Sequence, residues 1–208
     1  MSSSADDDQL IAMVRARAQN PATRTDYRSV RHDTLPAPVT PEMILEAEER
    51  MGCALHPLHR RLLQEVGNGG FGPGDGLVGL GPGGLDAHGR SLVELRDILW
   101  LDAETPLPST VVPLCDWGDG IWSCLDMLTD TVLTLDESGL TDTKKGLRTW
   151  LSAWIDGANL FEEMFVFEES TMINPFTKQV ITVGRPARAV GTPYVHAKPA
   201  KPQRGEAG

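Results

Sequence analysis

Cys53-x-x-His56-x-x-His59 is the cluster that comes nearest to metal-ligand spacing in this 208-residue chain. A zinc site built on it needs a fourth ligand or an open water position. Pro57 fixes a helix start between these residues, so the three do not share one helical face, and the spacing predicts no metal centre. A second group is acidic: Asp116, Asp119, Asp126, Asp130, Asp136 and Glu137 fall along one stretch of short apolar runs. Two carboxylates on neighbouring strands can sit at glycosidase distance. Acids also terminate strands and fill tight turns, which accounts for at least Asp119 and Asp130. Three readings of this group stay open: solvated turn residues, an acidic protein-binding face, or an active site. Asp116, Trp117, Asp119, Asp136 and Glu137 are the candidate protein-interface residues. Trp117 sits among acids beside a turn, which suits an interface anchor or a turn-packing role.

The densest motif is glycine. Residues 58 to 84 read LHRRLLQEVGNGGFGPGDGLVGLGPGG, a helix halted at Gly67 and followed by Gly69, Gly70, Gly72, Gly74, Gly76 and Gly79. Such density marks backbone at positive φ or in close approach to other backbone, so Gly69, Gly70, Phe71, Gly72 and Pro73 are read as a structural motif. The run does not suit a phosphate cradle, because it follows a helix and enters an apolar stretch, the reverse of the P-loop order, and lacks Gly-Lys-Ser/Thr. Neither a Gly-x-Ser-x-Gly elbow nor His-Glu-x-x-His is present. The chain is therefore predicted to be no enzyme and to use no cofactor.

The elements that must hold these residues emerge from period and punctuation. Leu10, Ile11, Val14 and Ala18 predict an amphipathic helix over about 6 to 18, and residues 20 to 38 read as a linker. Thr40-Pro41-Glu42 is a helix start, with Ile44, Ala47 and Met51 inward and Gly52 as the stop. A second helix is predicted from Pro57 to about Val66, and a third from Ser91 to Leu99. Residues 77–80 (LVGL), 111–116, 121–127 and 131–136 read as strands of a meander. Helical period returns from 142 to 169 through Trp150, Leu151, Trp154 and Phe165, with Gly157 a candidate break. Trp100, Trp122, Trp150 and Trp154 are expected in the core. Residues 174–178 read as a turn, 179–183 as a small strand, and the chain past Arg185 as a disordered basic tail. This gives an α+β fold with a mostly antiparallel mixed sheet, divided as 1–39 helix and linker, 40–169 main domain, and 170–208 short hairpin and tail.

Charge narrows the partner. The formal net charge is −10, yet from Ser170 onward six basic residues stand against Glu206 alone. The preceding part therefore carries a formal −15, which repels nucleic-acid phosphates and attracts a basic protein. Apolar runs are too short to span a membrane, and the acidic start MSSSADDD is unlike a signal peptide, so a cytoplasmic location is expected. Cys115 and Cys124 flank a predicted hairpin and either face each other or are small buried hydrophobes.

The helix LHRRLLQEVGNGG, the turn of Gly69, Gly70, Phe71, Gly72 and Pro73, and the LVGL segment resemble the signature region of the SUKH superfamily. That superfamily groups the fungal Smi/Knr cell-wall regulators with many bacterial relatives. Val112-Pro113-Leu114 with Trp117-Gly118-Asp119-Gly120 resembles its first long hairpin, and Trp150-Leu151 to Trp154 its closing helix, over roughly residues 40 to 168. The resemblance implies a non-catalytic α+β domain, often a bacterial immunity protein that neutralises a toxin. On that footing the partner is a protein, foremost a toxin with a basic active face. A regulatory or scaffolding domain is the alternative and a hydrolase using the acidic stretch the third. Oligomeric state is left open.

Overall fold

Thr40 starts the second helix as its chemistry requires. Its hydroxyl accepts from the Met43 N–H at 3.3 Å, Pro41 occupies the first helical position, and Gly52 ends the helix at φ +67°. The structure is a computed structural model and describes residues 4–26, 34–81, 84, 86, 88–102 and 107–194. The helices are α1 (Ser4–Gln19), α2 (Pro41–Met51), α3 (Pro57–Glu65), α4 (Leu92–Asp102), α5 (Leu147–Ile155) and α6 (Leu160–Met164). The strands are β1 (Val111–Gly118), β2 (Ile121–Asp126), β3 (Thr131–Asp136), β4 (Gly139–Lys145), β5 (Phe165–Ile173), β6 (Val180–Ala189) and β7 (Thr192–Pro193).

The fold is α+β. One sheet runs β1-β2-β3-β4-β7 with every neighbour antiparallel, and β5 and β6 form a separate two-stranded ribbon. All six residues of β2 are buried, so both of its faces are covered. Trp150, Trp154, Leu62, Leu63, Leu114 and Leu125 lie at the centre of the core. The N-terminal helix belongs to that core: Leu10, Ile11, Val14 and Ala18 are buried, and α1 packs against α5. Arg17 stacks over the Trp154 ring at 4.4 Å and donates to the Ile155 carbonyl. Arg148 of α5 meets Asp7 of α1 in an ion pair. Among the described residues no helix is long and apolar enough to cross a membrane.

Several expectations need correction. Residues 77–80 are not a strand: their N–H groups go to four different partners, Leu77 to Phe71, Val78 to Leu114 of β1, Gly79 to Gly84 and Leu80 to the Asn68 side chain, so no ladder forms. The sheet gains β4 instead, from a polar stretch, GLTDTKK, that carries no apolar alternation. Lys144 at φ +62° accompanies the register shift in that strand. The predicted helix to 169 stops early. Gly157 at φ +85° separates α5 from α6, and at Phe165 the chain turns extended (φ −132°, ψ 147°) to begin β5. Residues 186–193 extend β6 and form β7 instead of a tail, whereas 195–208 lie outside the described residues. Trp100 is half exposed, because the inward stripe of α4 is Leu92, Leu95 and Leu99.

β7 brings the chain back to the main sheet after the ribbon. Tyr194 donates its hydroxyl to the buried Asp126 carboxylate, which also accepts from the Leu128 N–H and the Thr129 hydroxyl. Burial pushes the Asp126 carboxyl up, but hydrogen bonds led by Tyr194 outweigh it and hold the group below the usual range. Stability from this group is therefore full above the unfolded carboxylate pKa and is lost as pH falls through the lower folded value. Tyr194→Phe should lower stability by about 1.5–3 kcal/mol near neutrality. Because the variant's Asp126 loses that support, the mutant and wild type should converge as the medium is acidified. Urea unfolding at pH 7 and pH 3 measures both, and an equal difference at the two pH values would refute the assignment.

Candidate protein interface

The meander brings two turns to one end of the sheet. Gly118 pairs with Ile121, Trp122 with both Asp116 and Leu135, and Asp136 with Gly139. The β1–β2 and β3–β4 turns thus lie side by side, with β1 and β3 about 10 Å apart as second neighbours. Asp116 and Asp119 sit at the first turn, Asp136 and Glu137 at the second. Asp119 and Glu137 are exposed, Asp116 and Asp136 partly so.

Both turns are held by their own acids. Asp116 accepts from the Gly118 N–H at 2.8 Å and Asp136 from the Ser138 N–H at 2.7 Å. Asp119 occupies left-handed backbone, φ +51°, between Gly118 and Gly120. Burial raises the Asp116 pKa. The Gly118 N–H opposes that rise, while the nearby Asp75 and Asp86 carboxylates reinforce it. Sequence spacing alone does not point to those two acids. Asp75 is embedded in the glycine run, and its N–H donates to the Asp116 carbonyl at 3.1 Å. Asp86 is itself paired with Arg90.

Trp117 is placed differently from its neighbours. It is 8 % exposed, donates its Nε1–H to the Ser123 hydroxyl at 2.9 Å, and packs on Phe161 with ring centroids 5.7 Å apart. Its ring fills the core behind the turn, which is the turn-packing role and not an exposed anchor.

The glycine run threads this end into the body. Gly70 N–H donates to the Leu77 carbonyl, Gly72 N–H to the Arg24 carbonyl, and the Asp26 carboxylate accepts from Gly74 N–H and from Trp154 Nε1. Phe71 is fully buried, and Pro73 is buried beside it. Asn68 organises the return: its side-chain carbonyl accepts from Leu80 N–H at 2.7 Å, with Gly79 and Gly84 packed against it.

The remaining chemistry-bearing groups lie elsewhere. Cys53, His56 and His59 do not converge, and no group of His, Cys, Asp and Glu able to hold a metal occurs among the described residues. His59 points into the core, whereas His56 approaches Asp130 at 3.5 Å, the same carboxylate that accepts from Leu147 N–H and caps α5. Register puts Cys115 opposite Ser123 and Cys124 opposite Pro113, on opposite faces of the sheet, so the two thiols do not pair. Burial pushes the Cys124 thiol up to about 12. A shallow apolar groove of about 720 Å³, lined by Cys53, Leu55, Arg60, Met127 and Leu128 among others, lies at the opposite end of the sheet from the acids.

A family model described as SMI1-KNR4 cell-wall matches residues 19–155, which span the linker, α2 to α5, the glycine run and strands β1 to β4. No curated protein and no solved structure matches the chain. With about two thirds of its length matched, carrying both the glycine run and the meander, the chain belongs to the SMI1-KNR4 family of the SUKH superfamily.

Proposed function

We propose that this chain is a non-catalytic protein-binding domain acting in the cytoplasm, where it neutralises a cognate toxin by covering a basic active face. The observation that carries this reading is the gathering of Asp75, Asp116, Asp119, Asp136 and Glu137 at one end of a rigid meander, on a body with formal charge −15. Turns clamped by their own side chains present carboxylates without reorganisation, which favours fast, charge-steered encounter. Family membership supports a SMI1-KNR4-type domain, and the immunity role is what the superfamily resemblance implies for it.

Affinity capture on the immobilised chain from lysate of the native cell would identify the partner, and surface plasmon resonance on the purified pair would test how it is held. Association should slow as salt rises, and Asp116→Asn with Asp119→Asn should slow it further while leaving dissociation nearly unchanged. Binding that ignores both salt and these substitutions would remove the acidic end from the interface. A partner that is neither toxic nor basic would favour the regulatory or scaffolding reading. That alternative draws support from the second open surface formed by the ribbon.

A further inference from the structure

The β5–β6 ribbon lies outside the family match and concentrates the molecule's exposed apolar side chains: Val166, Phe167, Met172, Ile173, Phe176 and Val180. A two-stranded ribbon is marginal in water without a further strand or layer. Its two outer edges are not equivalent. β6 carries Pro186, Arg185 and Arg188, and its pairing with β5 shifts register between Arg188 and Pro186, leaving Ala187 as the extra residue. Proline, a bulge and charge, lysine and arginine above all, are the devices that close a sheet edge to further pairing. β5, FVFEESTMI, has neither proline nor a bulge and carries Glu168 and Glu169 as its charges. It is an unbroken strand of nine residues, and among the described residues only β6 pairs with it.

We propose that β5 is a homodimerisation edge: β5 of one molecule pairs antiparallel with β5 of a second copy, giving a four-stranded sheet β6-β5-β5-β6 across a two-fold axis. A two-fold perpendicular to the sheet keeps each residue on its own face, so the register must pair residues of like parity. Centring it on Ser170 places Ser170 opposite its own copy, Phe167 opposite Ile173, Glu169 opposite Thr171 and Glu168 opposite Met172. No like charges face each other, and the exposed Phe167 and Ile173 cover one another at both ends. Centring on Glu169 instead would oppose two carboxylates. The main chain supplies the bonds, and the side chains select this register.

Sedimentation velocity on the full chain over a concentration series tests this. A concentration-dependent monomer–dimer equilibrium is expected, and Phe167→Lys with Ile173→Lys should weaken it by about tenfold or more. Far-UV circular dichroism should report an intact fold, because both positions are outside the main core. Register is read separately: Ser170→Cys should cross-link under mild oxidant, its Cβ atoms being about 4.5–5.5 Å apart, and Thr171→Cys should cross-link far less. The wild type under the same oxidant controls for the native cysteines. A monomer at every concentration, a dimer indifferent to both lysines, or stronger cross-linking at 171 than at 170 would each overturn the proposal. None of these outcomes bears on the toxin reading, which concerns the opposite charge chemistry of the meander turns.

Discussion

Gly69→Ala should cost about 4 kcal/mol or more and lower the melting temperature by roughly 8–16 °C, if the variant folds at all. A methyl group there would sit 2.5 Å from the Leu77 carbonyl oxygen and 2.7 Å from the Gly79 nitrogen, at φ +76°. Both neighbours are backbone, held by the Gly70–Leu77 and Gly79–Gly84 hydrogen bonds, so neither can retreat without breaking the loop. Gly157→Ala is the control. Its φ is +85° with nothing within 4 Å of the added methyl, so it should carry only the left-handed backbone cost of about 1–2 kcal/mol. Gly70→Val and Gly72→Val, at φ +73° and +113°, should fall with Gly69 because branching adds to the strain. Thermal melting decides. If Gly69→Ala melted like Gly157→Ala, close packing would not be the reason for the glycine, and unchanged melting with lost partner binding would make the loop a recognition element.

His59 should make the fold lose about 2 kcal/mol between pH 7 and pH 5. Its side chain is fully buried on α3, and neither ring nitrogen has a hydrogen-bond partner. Burial, with the His56 charge adding to it, holds its pKa down to about 4. The unfolded chain takes up a proton near pH 6.5 while the folded one refuses it until about 4, so this contribution is complete above 6.5 and falls away on acidification between those values. His59→Leu should abolish that slope. At pH 7.5 it should be nearly neutral, since it removes an unsatisfied buried N–H at similar volume. Guanidinium unfolding of both proteins at pH 7.5 and pH 5 compares them. A variant that keeps the wild-type loss would show that His59 is not its source; Asp126 loses its contribution only below the ordinary carboxylate range, and Asp26, whose pKa burial raises, works in the opposite direction.

Local chemistry was legible where a single residue decides. Thr40, Pro41 and Gly52 bounded α2 from the sequence, and Gly157 marked the break after α5, because caps and left-handed stops act within one turn of chain. Where tertiary partners decide, sequence reading went astray. LVGL looks like a strand, yet the demands of Asn68 and the surrounding glycines divide its hydrogen bonds. GLTDTKK shows no strand alternation and its second half reads as the start of the 142–169 helix, yet an unfilled edge of β3 recruits it. Residues 165–169 continue an apolar helical period by accident, while Phe165, Val166 and Phe167 favour extended chain once α6 has ended. The acidic end was partly legible. Asp116, Asp119, Asp136 and Glu137 come from the alternation of short strands and tight turns, which puts every second turn at one end. Asp75 joins them only through the path of the glycine run, and the burial of Trp117 depends on Ser123 and Phe161, which no local pattern links to it.

The docking of α1 on α5 also sets an order of events at the ribosome. Arg17 and the Ile155 carbonyl it binds are 138 residues apart in the chain. At ordinary elongation speeds of about 5–20 residues per second, the first helix waits roughly 7–28 s before its receiving surface has been made. Through that interval Leu10, Ile11 and Val14 lack the α5 side of their native cover and have α3 alone to pack on. The acids at the head of that helix, Asp6, Asp7 and Asp8, keep the waiting segment soluble until Asp7 meets Arg148 and Asp8 meets Arg61. Closure of the fold is therefore a late, long-range step, so a nascent chain stalled before residue 147 should leave its N-terminus open to chaperones and proteases while one extended well past residue 164 should not.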